Sequence, residues 1–117
     1  MKIFLDDIRN INDAYKIWPD ETIFLCDDWV IVRNYDQFVE LINDIDFNDI
    51  DFISFDNDLG DVETNIEKTG YDAVKWLVDY CMDNDYKFPP YFVHSQNPVG
   101  NDNIKSYIEN YKRLCQD

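Results

Sequence analysis

Four aspartates stand where apolar runs end. Asp6 and Asp7 follow "KIFL" (2–5), and Asp56 and Asp58 lie in "ISFDNDLG" (53–60). Carboxylates gathered this closely repel, so either their pKa values rise or a cation neutralises them. Hard oxygen donors in that number suit Mg²⁺, Mn²⁺ or Ca²⁺ rather than zinc. An EF-hand is excluded, because neither "DIDFND" nor "DNDLGD" has glycine at the sixth loop position. An aspartate pair after a strand is also an ordinary turn former or helix cap, and aspartate is abundant here. The coincidence of several strand ends is what favours chemistry. His94, the only histidine, and Ser95 close "YFVHS" (91–95), and Arg9 follows the first acidic pair within three residues.

A metal held by carboxylates keeps waters and binds phosphate. Arg9 is then either a bidentate phosphate clamp or an ion-pair partner of the neighbouring acids. Ser95 and the loop after it, shaped by Asn97-Pro98, offer further phosphate donors. His94 is read as the general acid or base, although a lone histidine is often a packed core residue.

These groups need strands to carry them and helices to cover the strands. "KIFL", "WVIVR" (29–33), "DFISF" (51–55) and "YFVHS" read as strands, apolar throughout as in a parallel sheet covered on both faces. Phe38, Leu41, Ile42 and Ile45 mark a helix from about Tyr35; Val74, Leu77, Val78 and Cys81 mark another from Gly70. Ile104, Tyr107, Ile108, Tyr111 and Cys115 mark a last one, with Tyr107 and Tyr111 as a candidate interface. Residues 61–69 read as loop and "QNPVGND" as turn. The segment 10–28 reads as a long loop, a short strand at "TIFLC", or both. Alternating strands and helices predict an α/β domain spanning 1–117, with ligands at the carboxyl ends of the strands.

Composition narrows the function classes. The 117 residues carry a formal charge of −15, with 25 acidic against 10 basic residues. Coating duplex nucleic acid is thereby disfavoured, since that affinity comes from Lys and Arg on phosphates. No apolar run approaches bilayer length and no leader pattern is present, so a cytoplasmic protein without membrane contact is expected. Cys26, Cys81 and Cys115 lack metal-type spacing and are expected to be reduced thiols.

"FLDDIR", "ISFDNDLG", "TGYDAVKWL" and "VHSQNPVG", in this order and spacing, resemble the cyclic-phosphate-processing receiver-like family. The resemblance covers most of the chain and weakens over 10–28. It implies a receiver-like (flavodoxin-like) three-layer sandwich on a shortened, mostly parallel sheet of four to five strands. It also implies a metal-dependent phosphoesterase, using Mg²⁺ or Mn²⁺, that acts on RNA 2′,3′-cyclic phosphate ends or an ADP-ribose cyclic phosphate. Carried across, Asp6 and Asp7 match the metal-binding acidic pair. Asp56 matches the phosphoacceptor position, with Asp58 close enough for a shift; both join the metal set. Ser95 matches the switch hydroxyl, and Arg9, His94, Asn97 and Gly100 belong to the subfamily signature. Asn57 departs from it, because members often carry histidine there; Asn57 cannot abstract a proton, so His94 would act alone as the base beside a catalytic Asp56, and a loss of activity or a binding-only role stays open. Two alternatives stay open: a phosphorylatable stand-alone receiver, and a noncatalytic acidic module that holds a cyclic nucleotide or a partner. The receiver reading lacks a lysine after a fifth strand.

Overall fold

The computed structural model describes residues 1–57 and 69–115. Four strands, β1 (Lys2–Leu5), β2 (Trp29–Val32), β3 (Phe52–Phe55) and β4 (Tyr91–Val93), form a parallel sheet in the order β2-β1-β3-β4. Four helices accompany them: α1 (Ile11–Ile17), α2 (Tyr35–Asp44), α3 (Gly70–Asn84) and α4 (Pro98–Cys115). The architecture is the expected receiver-like α/β fold, with four strands all parallel and no fifth among the described residues. None of the described helices is long and apolar enough to cross a membrane.

The period-two alternation of the strands divides the apolar residues between two layers. Ile3, Leu5, Ile53, Phe55 and Val93 are buried together with Phe38 and Ile42 of α2, with Val74, Leu77 and Cys81 of α3, and with Ile104 and Ile108 of α4. Phe4 points the other way and joins Ala14 of α1 and Phe24. This second layer is mostly aromatic, with Phe24 edge-on to Phe4 and Phe92 and Trp18 edge-on to Phe92. Burial of each such side chain contributes about 1.5–3 kcal/mol. Cys81 is a free thiol in the first layer, and burial pushes its pKa up to about 12, which makes it inert near neutral pH.

The segment 10–28 departs from expectation. "TIFL" is a 3₁₀ turn over Thr22–Leu25 that plugs Phe24 into the aromatic layer, not a strand. Ahead of it, α1 starts at a capping box in which the Asn10 side chain accepts from the Asp13 amide and the Asp13 carboxylate accepts from the Asn10 amide. Seven residues do not hold a helix alone, so packing of Ala14 against Phe4 and Phe24 sustains it.

The "QNPVGND" stretch is likewise a helix start. Asn97 accepts from the Gly100 amide through Oδ1 at 3.2 Å and from the Asn101 amide through its carbonyl, with Pro98 as first helical residue. Nor do Tyr107 and Tyr111 form an exposed pair. Tyr111 is buried and its hydroxyl donates to the Tyr86 carbonyl at 3.0 Å, while Tyr107 packs edge-on against Tyr71.

Gly100 lies inside α4, where a Cβ would stand 2.3 Å from the Asn57 side-chain nitrogen and 2.6 Å from its Cγ. Gly100→Ala is therefore expected to cost about 1–3 kcal/mol through overpacking, although alanine at an open helical site would gain up to about 1 kcal/mol. In an Asn57→Gly background most of that cost should vanish, as read by urea unfolding of the double-mutant cycle. Additive losses would show that Asn57 does not set the limit.

Candidate functional site

Leu5 pairs with Val32 and Phe55, and Phe55 with Val93, so the next residues of the four strands share one row across the sheet. That row reads Arg33, Asp6, Asp56, His94. The ladder continues into it: the Asp6 amide donates to Val32, Asp56 to Leu5 and His94 to Phe55, at 2.9–3.1 Å. β1 and β3 are neighbours, so the carboxyl ends bring Asp6 and Asp56 together as their positions in the sequence suggested.

Asp6 is completely buried. Its Oδ1 accepts from the amides of Ile8 (2.9 Å) and Arg9 (2.8 Å), and its Oδ2 accepts from Arg9 Nη1 (3.3 Å) and His94 Nε2 (3.0 Å). A carboxylate offers about four acceptor positions, and here all are used. Burial pushes the Asp6 pKa up, but the hydrogen bonds from His94 and the two amides outweigh it, and the net effect holds the carboxyl well below the usual carboxylate range. The group is an anion at any ordinary pH.

Arg9 supplies the opposing charge. Its Nη1 stands 3.3 Å from Asp6 and 3.7 Å from Asp56, its Nη2 donates to Gln96 at 3.1 Å, and its guanidinium lies 5.7 Å from the Trp18 ring centre. The repulsion expected between strand-end acids is thus relieved by an arginine bridging β1 and β3. Arg33, at the end of "WVIVR", donates from Nη1 to the carbonyls of Asp6 and Arg9 and braces the turn between β1 and α1.

His94 does not stand where an acid or base would meet a substrate. It is fully buried, stacked on Phe4 at 4.4 Å and met edge-on by Trp18 and Phe24. Both ring nitrogens are engaged, Nε2 with Asp6 and Nδ1 with the Ser54 hydroxyl at 2.6 Å. Burial lowers its pKa more than Asp6 raises it, so the ring is neutral. The sequence offered the residue type, but its enclosure comes from aromatic groups far away in the chain.

The solvent-facing part of the site is a pocket of about 330 Å³ lined by Asp7, Ile8, Arg9, Asp56, Gln96 and Asn97. Asp7 is half-buried and Asp56 only 4% exposed. Ser95 is buried, accepts from the Asn97 amide through Oγ and from Asn101 Nδ2 through its carbonyl, and does not line the pocket. Asn57 is also absent from the lining; its side chain faces Gly100 and its carbonyl accepts from the Gly70 amide at 2.8 Å. Asp58 lies outside the described residues.

Asp6, Asp56 and His94 bring one potential ligand atom each within 4.8 Å of one another, the spacing of a metal cluster. Asp6 and His94 spend theirs on each other, which leaves Asp56 as the member that borders the pocket. Three participants were not singled out from sequence. Gln96 and Arg33 carried no local signal, whereas Ser54 did: a hydroxyl inside an apolar strand requires a buried partner.

A family model described as the cyclic-phosphate processing receiver domain matches residues 1–110 of the 117. No curated protein and no solved structure compared with the chain matches it.

Proposed function

The chain belongs to the cyclic-phosphate processing receiver domain family, and we propose that its strand-end pocket is a metal-dependent phosphoesterase site that opens a cyclic phosphate. The observation that carries this reading is the pocket lining: carboxylates of the kind that hold a hard cation, beside an arginine and an asparagine that suit a phosphate. Because the acceptor positions of Asp6 are filled, Asp7 and Asp56, which border the open space, are the residues that would hold Mg²⁺ or Mn²⁺, with Asp6 behind them. A divalent cation there supplies Lewis acidity and charge neutralisation at the phosphate.

The chain's own groups then divide the remaining work. The Arg9 guanidinium, within the pocket wall, neutralises charge growing on the phosphate oxygens. Asn97 stands at the amino end of α4, whose dipole also favours an anion. Asp56 takes the proton of a water that attacks phosphorus. The P–O bond to one ring oxygen breaks, that oxygen is protonated from solvent, and a phosphate monoester results. In this reading His94 acts on Asp6 rather than on substrate.

Phosphorus NMR with Mg²⁺ or Mn²⁺ tests the proposal. The panel holds 2′,3′-cyclic nucleotides, an RNA with a cyclic phosphate end and ADP-ribose 1″,2″-cyclic phosphate. A cyclic resonance should convert to a monoester only with metal, and Asp56→Asn should slow the conversion by about 10²–10⁴-fold while folding survives. Unchanged resonances, with acetyl phosphate labelling Asp56, would instead identify a phosphorylatable receiver. Tight binding with the ligand returned intact would identify a holding module.

A further inference from the structure

Three polar side chains, Ser54, His94 and Asp6, lie completely buried on a sheet face covered mostly by aromatic residues. They form one hydrogen-bonded chain across β3, β4 and β1, Ser54 Oγ to His94 Nδ1 at 2.6 Å and His94 Nε2 to Asp6 Oδ2 at 3.0 Å. The residue types are those of a nucleophilic triad, but Ser54 has no exposed surface, so no substrate atom reaches its hydroxyl. We propose that Ser54 and His94 are positioning residues that lock the Asp6 carboxylate, and through it the turn carrying Asp7 and Arg9. This inference rests on reading the pocket as a cation and phosphate site.

The direction of each hydrogen bond follows from elementary valence. The Asp6 carboxylate accepts only, so the proton between it and His94 belongs to Nε2. A neutral imidazole with Nε2–H leaves Nδ1 as an acceptor, and the Ser54 hydroxyl therefore donates to it. The ring is thus fixed in one tautomer and one orientation, with Phe4 stacked flat against it at 9°. Asp6, oriented at Oδ2 by His94, presents Oδ1 to the amides of Ile8 and Arg9. Those amides belong to two of the residues that line the pocket. Three buried polar groups add little to stability compared with an apolar trio of similar volume. Their contribution is orientation, as with the partners that stand behind metal ligands.

Mn²⁺ titration of the metal-free protein, followed by calorimetry, tests the chain. Ser54→Ala and His94→Phe are expected to weaken Mn²⁺ binding about 10-fold or more. Ser54→Thr keeps the hydroxyl and His94→Gln keeps an N–H toward Asp6, so both should stay within about threefold of the parent. Nitrogen NMR of the ring supplies a signature independent of metal. The parent should show the Nε2–H tautomer alone, and Ser54→Ala should show a mixture together with shifted Ile8 and Arg9 amides. Should Ser54→Ala fail to fold, His94→Phe against His94→Gln decides the matter, because equal Mn²⁺ affinity in those two variants would overturn the positioning role. Equal losses in Ser54→Thr and Ser54→Ala would overturn the role of the hydroxyl. Unchanged affinity, tautomer and amide positions in Ser54→Ala would overturn the whole inference. A parent that binds no Mn²⁺ would refute the cation reading, and the ring tautomer and the two amides would then judge the positioning role by themselves.

Discussion

Asp6→Ala is expected to destabilise the fold by about 3–5 kcal/mol, the range found when one partner of a buried charge pair is removed. The substitution strands four donors at once: the amides of Ile8 and Arg9, His94 Nε2 and one arm of Arg9. Asp56 retains Arg9 at 3.7 Å but cannot serve the other three. Relief of repulsion between Asp6 and Asp56 offsets part of the loss, and with Arg9 between them that part is small. For a chain of this size the melting temperature should fall on the order of 10–20 °C. Asp7→Ala, at a half-buried position, is expected to cost less than about 1 kcal/mol. Equal melting of the two variants would show that the buried network is not what holds this end of the sheet.

The same carboxylate carries a pH dependence of definite sign. Its folded pKa lies below the ordinary value of 3.8, so its contribution is complete above that value and is lost as the pH falls through and beyond it. His94 works in the same direction from a higher starting point. Its folded pKa lies below 6.5, so the unfolded chain takes up a proton that the buried ring resists, and stability declines as pH falls below 6.5. In metal-free buffer, the stability difference between the parent and Asp6→Asn should be constant near neutrality and shrink below about pH 4. Urea unfolding at stepped pH reads this directly, and a difference that grows on acidification would contradict the assignment.

Gly70→Ala is the second large effect expected. A Cβ there would lie 1.7 Å from the Asp56 carbonyl oxygen and 2.7 Å from its carbon. Both are backbone atoms of the strand end that carries the site, so no side-chain rotation relieves the contact. The gap must roughly double to reach ordinary van der Waals contact, which pushes α3 from the end of β3. The helix is also anchored there by the Gly70 amide on Asn57 and by the reciprocal cap between Thr69 and Asp72. Overpacking of this severity is expected to cost about 3 kcal/mol or more. If the fold tolerates it, displacement of Asp56 by about 1 Å would still slow the cyclic-phosphate opening proposed for the pocket by about 10²-fold. Gly70→Ala should therefore be worse than Gly100→Ala, whose obstacle is a side chain. Denaturation midpoints of the two variants decide this, and a Gly70→Ala protein as stable as the parent would place the strand end and α3 farther apart than described.

The local elements were largely legible in the chain itself. Apolar runs fixed β1 at residues 2–5 and located the other three strands to within two residues. Helical spacing identified the buried faces of α2 and α3, and Gly70 and Tyr35 marked their starts. Where competing signals overlapped, the reading was incomplete. Asn97-Pro98 is turn chemistry and helix-cap chemistry alike, and only the Gly100 and Asn101 amides resolve it in favour of the cap. At α1 the Asn10 and Asp13 signal was present, but so short a helix depends on Phe4 and Phe24 for its existence.

For the site, the sequence determined by itself that acids, an arginine and a histidine fall at the ends of apolar strands. That follows from local order along the chain, because a strand's end is a local event. Tertiary structure alone decided which of these groups meet solvent. Strand order set β3 beside β1, register put Arg33, Asp6, Asp56 and His94 in one row, and aromatic groups from residues 4, 18 and 24 closed over His94. Burial is a sum over partners distant in sequence, so no local pattern could separate enclosed Asp6 and His94 from Asp7 and Asp56 at the pocket wall.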